Sequence, residues 1–144
     1  MSDLSIGQLA RETGTNIQTI RYYEQIGLLP EPVRTAGNQR RYSRAQQQRL
    51  AFIRHARALG FPLDDIRGLL GLADDPDRPC HEADNIARHH LEEVNGRIAR
   101  LTSLKVELER MVDQCAGGKV ENCRVIEVLA DHSLCLEDRH GPPV

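Results

Sequence analysis

Apolar residues recur along this chain in two rhythms, one broad and interrupted, the other narrow and long. Behind Ser5, a good helix N-cap, Ile6, Leu9 and Ala10 fall at helical spacing until Gly14 stops the turn. Asn16 restarts the pattern with Ile17, Ile20 and Tyr23 on one stripe, so two short helices around a glycine turn are predicted, a helix-turn-helix candidate. Leu28-Leu29-Pro30-Glu31-Pro32 breaks the helix, and VRTAGNQRRYS reads as two short extended pieces around Gly37-Asn38. Ser43 caps another helix, with Leu50, Ile53, Ala56 and Leu59 inward until Gly60, and Pro62 starts a fourth carrying Leu63, Ile66, Leu69 and Leu70. The first half is thus four helices and a wing.

The second rhythm follows the turn-rich, acidic DDPDRP. From about Glu82 to Asp113 there is no Pro and a single Gly. Ala87, Leu91, Val94, Ile98 and Leu101 step by 4, 3, 4 and 3, and Leu104, Leu108 and Met111 continue the seam after a shift. So narrow a stripe cannot form a core alone; it calls for packing on the chain's own head or on a partner helix. Beyond it, Gly117-Gly118 permits a reversal, and Val125, Ile126 and Leu129 predict a short helix beginning at Cys123. The tail from His132, with Pro142-Pro143, is expected to fray.

Composition supports an unusual shape. A chain of 144 residues, 40% hydrophobic but only 3% aromatic and without Trp, has little for a compact core. Its charge is uneven. Residues 1–71 hold ten Arg and no Lys against six acids, a balance of +4, whereas residues 72–144 hold nine basic against fifteen acidic, a balance of -6. A basic front and an acidic rear place nucleic acid at the front only. No apolar run approaches the roughly 20 residues of a membrane span, and Met1-Ser2-Asp3 does not begin a secretory signal, so a soluble cytoplasmic protein without membrane partners is expected. In that reducing compartment four cysteines are more plausible as ligands or sensors than as structural disulfides.

The chemistry follows the same division. On the second helix Gln18, Thr19, Arg21 and Tyr22 fall away from the apolar stripe, giving groups for base and phosphate contact. Arg34, Arg40, Arg41 and Tyr42 crowd onto the wing. At the other end CAGGKVENC sets Cys115 and Cys123 around the double glycine, and the positive end of the following helix favours a thiolate at Cys123. Cys80, just before the long helix, lies about 50 Å from Cys115 at 1.5 Å per residue, so the two cannot meet within one chain. Soft thiolates select copper(I), zinc, cadmium, lead or mercury: two suit linear copper(I), three suit mercury, lead or cadmium, and zinc commonly wants a fourth ligand. His81, His89, His90, His132 and Cys135 are candidates for an added ligand. No general base or nucleophile constellation stands near the thiols, so no enzyme is expected.

IGQLARETG, IRYYEQIGLL, GNQRRY and RHARALGFPLDDIRGLL, in this order, resemble the MerR family of transcriptional regulators. RPCHEADNIARHHL and CAGGKVENCRVIEVL resemble its metal-sensing members, in the branch responding to zinc, cadmium, lead or mercury. The resemblance implies a mainly α fold: a winged helix-turn-helix DNA-binding head over 1–75, an antiparallel dimerisation helix over 80–114, a metal-binding loop and short helix over 115–131, and a flexible tail over 132–144. It implies DNA contacts from Arg21, Tyr23, Arg34, Arg40 and Tyr42, with Gln18 and Thr19 nearer the bases. Gln39 departs from the aromatic residue of many relatives. An antiparallel homodimer would bring Cys80 of one chain to Cys115 and Cys123 of the other, making two equivalent three-thiolate sites. Copper-type members usually have serine in place of Cys80, which implies a divalent ion here, although the loop length resembles the copper type. The implied function is activation of a metal-resistance or efflux promoter by distorting double-stranded DNA, so that RNA polymerase engages both promoter elements. The alternatives are a copper(I)-responsive regulator and a thiol-redox regulator using Cys115 and Cys123.

Overall fold

The computed structural model describes residues 3–115 and 117–135; the expected tail beyond Cys135 lies outside the described residues. Helices α1 (Ile6–Thr13), α2 (Ile17–Gln25), α3 (Arg44–Ala58), α4 (Leu63–Ala73), α5 (His81–Asp113) and α6 (Arg124–Ala130) carry the chain, and β1 (Val33–Arg34) pairs antiparallel with β2 (Arg40–Arg41). Two compact units divide within α5, Met1–Ile86 and Ala87–Val144. Among the described residues no helix is long and apolar enough to cross a membrane.

Local chemistry sets the boundaries of the first unit. Ser5 and Ser43 each close a capping box with a glutamine three residues on, satisfying two amide donors reciprocally at the starts of α1 and α3. Asn16 caps α2 by accepting from the Gln18 amide at 2.7 Å. Gly14, at φ +63°, supplies the left-handed residue that ends α1. Between the strands Asn38 takes φ +65°, a conformation that Asn tolerates better than most residues. The wing is pinned at its base, where Leu4 and Tyr42 exchange two backbone hydrogen bonds of 2.8 Å.

The apolar stripes converge as the periodicity predicts. Leu9, Ile20, Tyr23, Leu28, Leu29, Tyr42, Leu50, Ile53, Ala56, Ile66 and Leu70 form the core. Leu59 is the exception: it is exposed, because it occupies the C-cap of α3 where the chain turns away. Each fully buried aliphatic side chain contributes about 1.5–3 kcal/mol.

In the second unit the long helix differs from the expected seam. The 4, 3 stepping continues unshifted beyond Leu101, through Lys105 to Leu108 and Val112, which are 59% and 67% exposed. Leu91, Ile98 and Leu101 on the same stripe are also exposed. Met111 leaves this stripe and is buried within its own chain, as are Val128 of α6 and the carboxylate residue Glu107. Arg110 holds this buried region together: its Nη1 lies 3.3 Å from Glu107 Oε1 and donates to the Leu134 carbonyl at 2.7 Å. The short helix expected from Val125, Ile126 and Leu129 is present as α6, with Val128 as its inward residue and Ile126 and Leu129 facing outward.

Candidate nucleic-acid interface and thiol site

The first site grows from the junction of α2 and the wing. Gln18, Arg21 and Arg34 are exposed and Thr19 is half-buried. Arg21, Arg34 and Arg40 line one cleft of about 340 Å³, together with Glu24, Gln25, Glu31 and Pro32. Two elements distant in sequence thereby present three guanidinium groups to one place, an arrangement suited to a phosphate backbone.

Two of the expected contacts are placed differently. Tyr42 is fully buried and its hydroxyl donates to both Glu24 carboxylate oxygens, at 2.9 and 3.0 Å. Burial, then the Glu24 hydrogen bond and charge, push its pKa well above the ordinary phenol value. The phenol is thus committed to a carboxylate rather than offered to a phosphate. Tyr23 is likewise a core residue, and the exposed ring is its neighbour Tyr22. Glu24 also faces Arg40, with Oε1 3.5 Å from Nε. This acid, absent from the sequence reading, ties the wing to α2; a lone carboxylate on a helix facing an arginine-rich hairpin was its only signal.

The second site lies where α5 ends. Gly117 and Gly118 take φ +77° and +90°, which L side chains rarely adopt, and reverse the chain toward α6. Cys123 occupies the N-cap of α6, its carbonyl accepting from the Glu127 amide at 3.0 Å. The backbone amides of Ile126 and Val125 and the neighbouring Cys115 thiol hold its pKa below the ordinary thiol value, against opposition from burial and Glu127. The structure therefore brings Cys115 and Cys123 together within one chain. Cys80 is exposed at the other end of α5, where its carbonyl accepts from the Asp84 amide at 3.0 Å.

The further candidates are scattered. Cys135 is pushed to a raised pKa by burial, then by the charge of Glu107 and a hydrogen bond to it, so its thiol is held protonated against α5. His90 is buried, with Nδ1 3.9 Å from Glu93, while exposed His89 lies 3.1 Å from the same carboxylate. His81 opens α5 and His132 opens a short 3-10 turn. Among the described residues no group of three or more His, Cys, Asp or Glu side chains is disposed to hold an ion. The opposed shifts predict that Cys123 reacts with iodoacetamide at lower pH than Cys135, read by mass spectrometry of alkylated peptides across a pH series. Equal pH midpoints would contradict it.

Comparison with known proteins agrees with this geometry. Residues 4–72 match the family model described as MerR HTH family regulatory protein, and residues 47–111 that described as MerR, DNA binding. The HTH-type transcriptional regulator ZntR of Escherichia coli is 42% identical over 127 residues, covering 86% of this chain and 90% of that protein. The transcription regulator PbrR691 of Ralstonia metallidurans, solved in complex with lead(II), superposes with a TM-score of 0.77 at 37% identity, covering 88% of this chain and 98% of that one. The regulator MerR of Bacillus megaterium, solved with mercury(II), gives 0.65 at 31% identity, covering 89% and 100%.

Proposed function

Since the chain belongs to the MerR family of helix-turn-helix transcriptional regulators, we propose that it is a metal-responsive member that binds promoter DNA through its head and a thiophilic divalent ion through Cys115, Cys123 and Cys80 of the partner subunit. The observation that carries this reading is the reversal at Gly117 and Gly118, which sets Cys115 at the end of α5 beside Cys123 at the N-cap of α6. Relatives solved with lead(II) and mercury(II) favour a soft divalent ion.

Two thiols on one chain leave the donor set incomplete, and α5, 33 residues long, separates them in sequence from Cys80. A second copy supplies the third thiolate. The uncovered stripe of Leu91, Ile98, Leu101, Leu108 and Val112 supports such a homodimer, since a row of apolar side chains on a long helix is stabilised by a facing helix. For DNA, Arg21, Arg34 and Arg40 supply backbone contacts and Gln18 and Thr19 face the bases, while Tyr23 and Tyr42 hold these groups in position.

An ion bound at three thiolates contributed by two chains couples ligand occupancy to subunit geometry. It shifts the regulator between two DNA-bound states only by binding one of them more tightly, and by linkage the DNA state changes ion affinity by the same factor. The output is activation of a resistance or efflux promoter by DNA distortion, with RNA polymerase engaged through the promoter.

The test is competitive titration of the fully reduced protein with zinc, cadmium, lead, mercury and copper(I), followed by elemental analysis. One divalent ion per chain, displaced when Cys115 and Cys123 are alkylated, is expected; an ion retained after alkylation would overturn the site. The adjacent thiols also favour a disulfide-based redox sensor as a second reading. Such a sensor responds in chelator-treated buffer and falls silent in strong reductant.

A further inference from the structure

We propose that Gln114 and Arg124 form a clasp that holds Cys115 and Cys123 in ligand position before an ion arrives. The assignment rests on the metal-site reading above. The two residues flank the loop, Gln114 immediately before Cys115 and Arg124 immediately after Cys123. Arg124 Nε donates to Gln114 Oε1 at 2.7 Å, so the residue that follows α5 and the first residue of α6 are joined side chain to side chain across the loop's mouth. The guanidinium is also oriented by Glu127, 3.2 Å from Nη1 on the same helix.

Arg110 ties α5 to the Leu134 carbonyl downstream of α6, not to the loop itself. A Cβ added at Gly117 or Gly118 would meet nothing within 4 Å, so this reversal lies open rather than packed. Among the described residues, the backbone amide of Cys115 still bonds the Val112 carbonyl of α5, whereas beyond the glycines the bonds of Asn122 to Lys119 and Cys123 to Val120 are short-range and shape the turn without tying it to α5. Closing a flexible loop costs chain entropy, and a ligand pair populated in the binding-competent arrangement only part of the time binds more weakly by that fraction. Gln114 and Arg124 raise the fraction without touching the ion, which makes them positioning residues.

The test uses the reduced full-length protein with Gln114→Ala, Arg124→Ala and the double variant. Cadmium affinity is measured by chelator competition. Separately, in metal-free protein, diamide takes up the two electrons and two protons released as Cys115 and Cys123 form a disulfide, and the rate of that closure is read by mass spectrometry. Each single variant is expected to weaken cadmium binding and slow closure by roughly three- to tenfold, the range for the net contribution of one ordinary hydrogen bond. The double variant should be no worse than either single one, with promoter affinity of the metal-free protein unchanged. Wild-type closure rates and cadmium affinities in the variants, or effects that simply multiply, overturn the clasp. Gln114→Ala leaves the Arg124–Glu127 pair intact, so it decides the matter if Arg124→Ala unfolds α6. Should Cys123→Ser bind cadmium as tightly as wild type, the metal site falls, and the closure rates still judge the clasp.

Discussion

Replacing Cys80 with serine is expected to lower divalent-ion affinity by at least about 100-fold, the upper end of what residues merely supporting a metal ligand contribute. A serine hydroxyl at neutral pH offers neither the charge nor the polarisability of a thiolate, so the site should revert to the pair Cys115 and Cys123. Affinity for copper(I), which accepts two thiolates, should fall much less. Cys80 is an exposed residue at the start of α5, so secondary structure and metal-free promoter binding should survive. Chelator competition with each ion, alongside a gel shift, reads all three quantities. Unchanged divalent affinity would remove Cys80 from the site and with it the need for two chains.

The second large effect is expected at Glu24. Its side chain is 7% exposed, accepts the Tyr42 hydroxyl and faces Arg40. Glu24→Gln keeps the shape and removes the charge, leaving a half-buried guanidinium without its counterion. Breaking a buried pair costs about 3–5 kcal/mol, and Arg40 keeps enough contact with water to put the loss near the lower end, about 3 kcal/mol. Urea unfolding should show it as a lower midpoint, and promoter affinity should fall as the wing loosens from α2. An unmoved midpoint would mean that the carboxylate is dispensable. The pH dependence has a definite sign. Tyr42 has a folded-state pKa raised above its unfolded value, so its contribution is fully present below about pH 10 and is lost as pH climbs through the folded value. Stability of the wild-type head should therefore fall above about pH 10, and less steeply in Glu24→Gln.

Elements governed by local chemistry were legible in the sequence. Ser5, Asn16, Ser43 and Gly14 act at the positions their chemistry demanded, and the stripes through Leu9, Ile20, Leu50 and Ile66 meet in one core. What escaped depended on which of several nearby side chains turned inward. Tyr23 and Tyr42 were assigned to DNA by resemblance, yet an aromatic ring at the junction of helix and wing is worth more buried, with Glu24 to take the hydroxyl proton. At the far end, Val128 was hidden because α6 spans only seven residues, too few for periodicity to distinguish its faces, and Met111, placed in the α5 seam, is buried within its own chain instead. The bond between Gln114 and Arg124 joins two residues with no pattern to connect them except their positions beside the cysteines. The thiol pair itself was legible because the glycines between them fix where the chain must turn.

Lys105 interrupts the apolar stripe of α5. It stands in line with Leu101, Leu108 and Val112, a single cation within an otherwise apolar seam. Two copies of α5 laid side by side in the same direction and in register would press this ammonium group against its own twin, away from water. Laid head to tail, the copies keep the two cations apart, each facing a different stretch of its neighbour. The residue that weakens the seam as a hydrophobic surface thus gives it a polarity, like an arrow drawn on an otherwise symmetric strip.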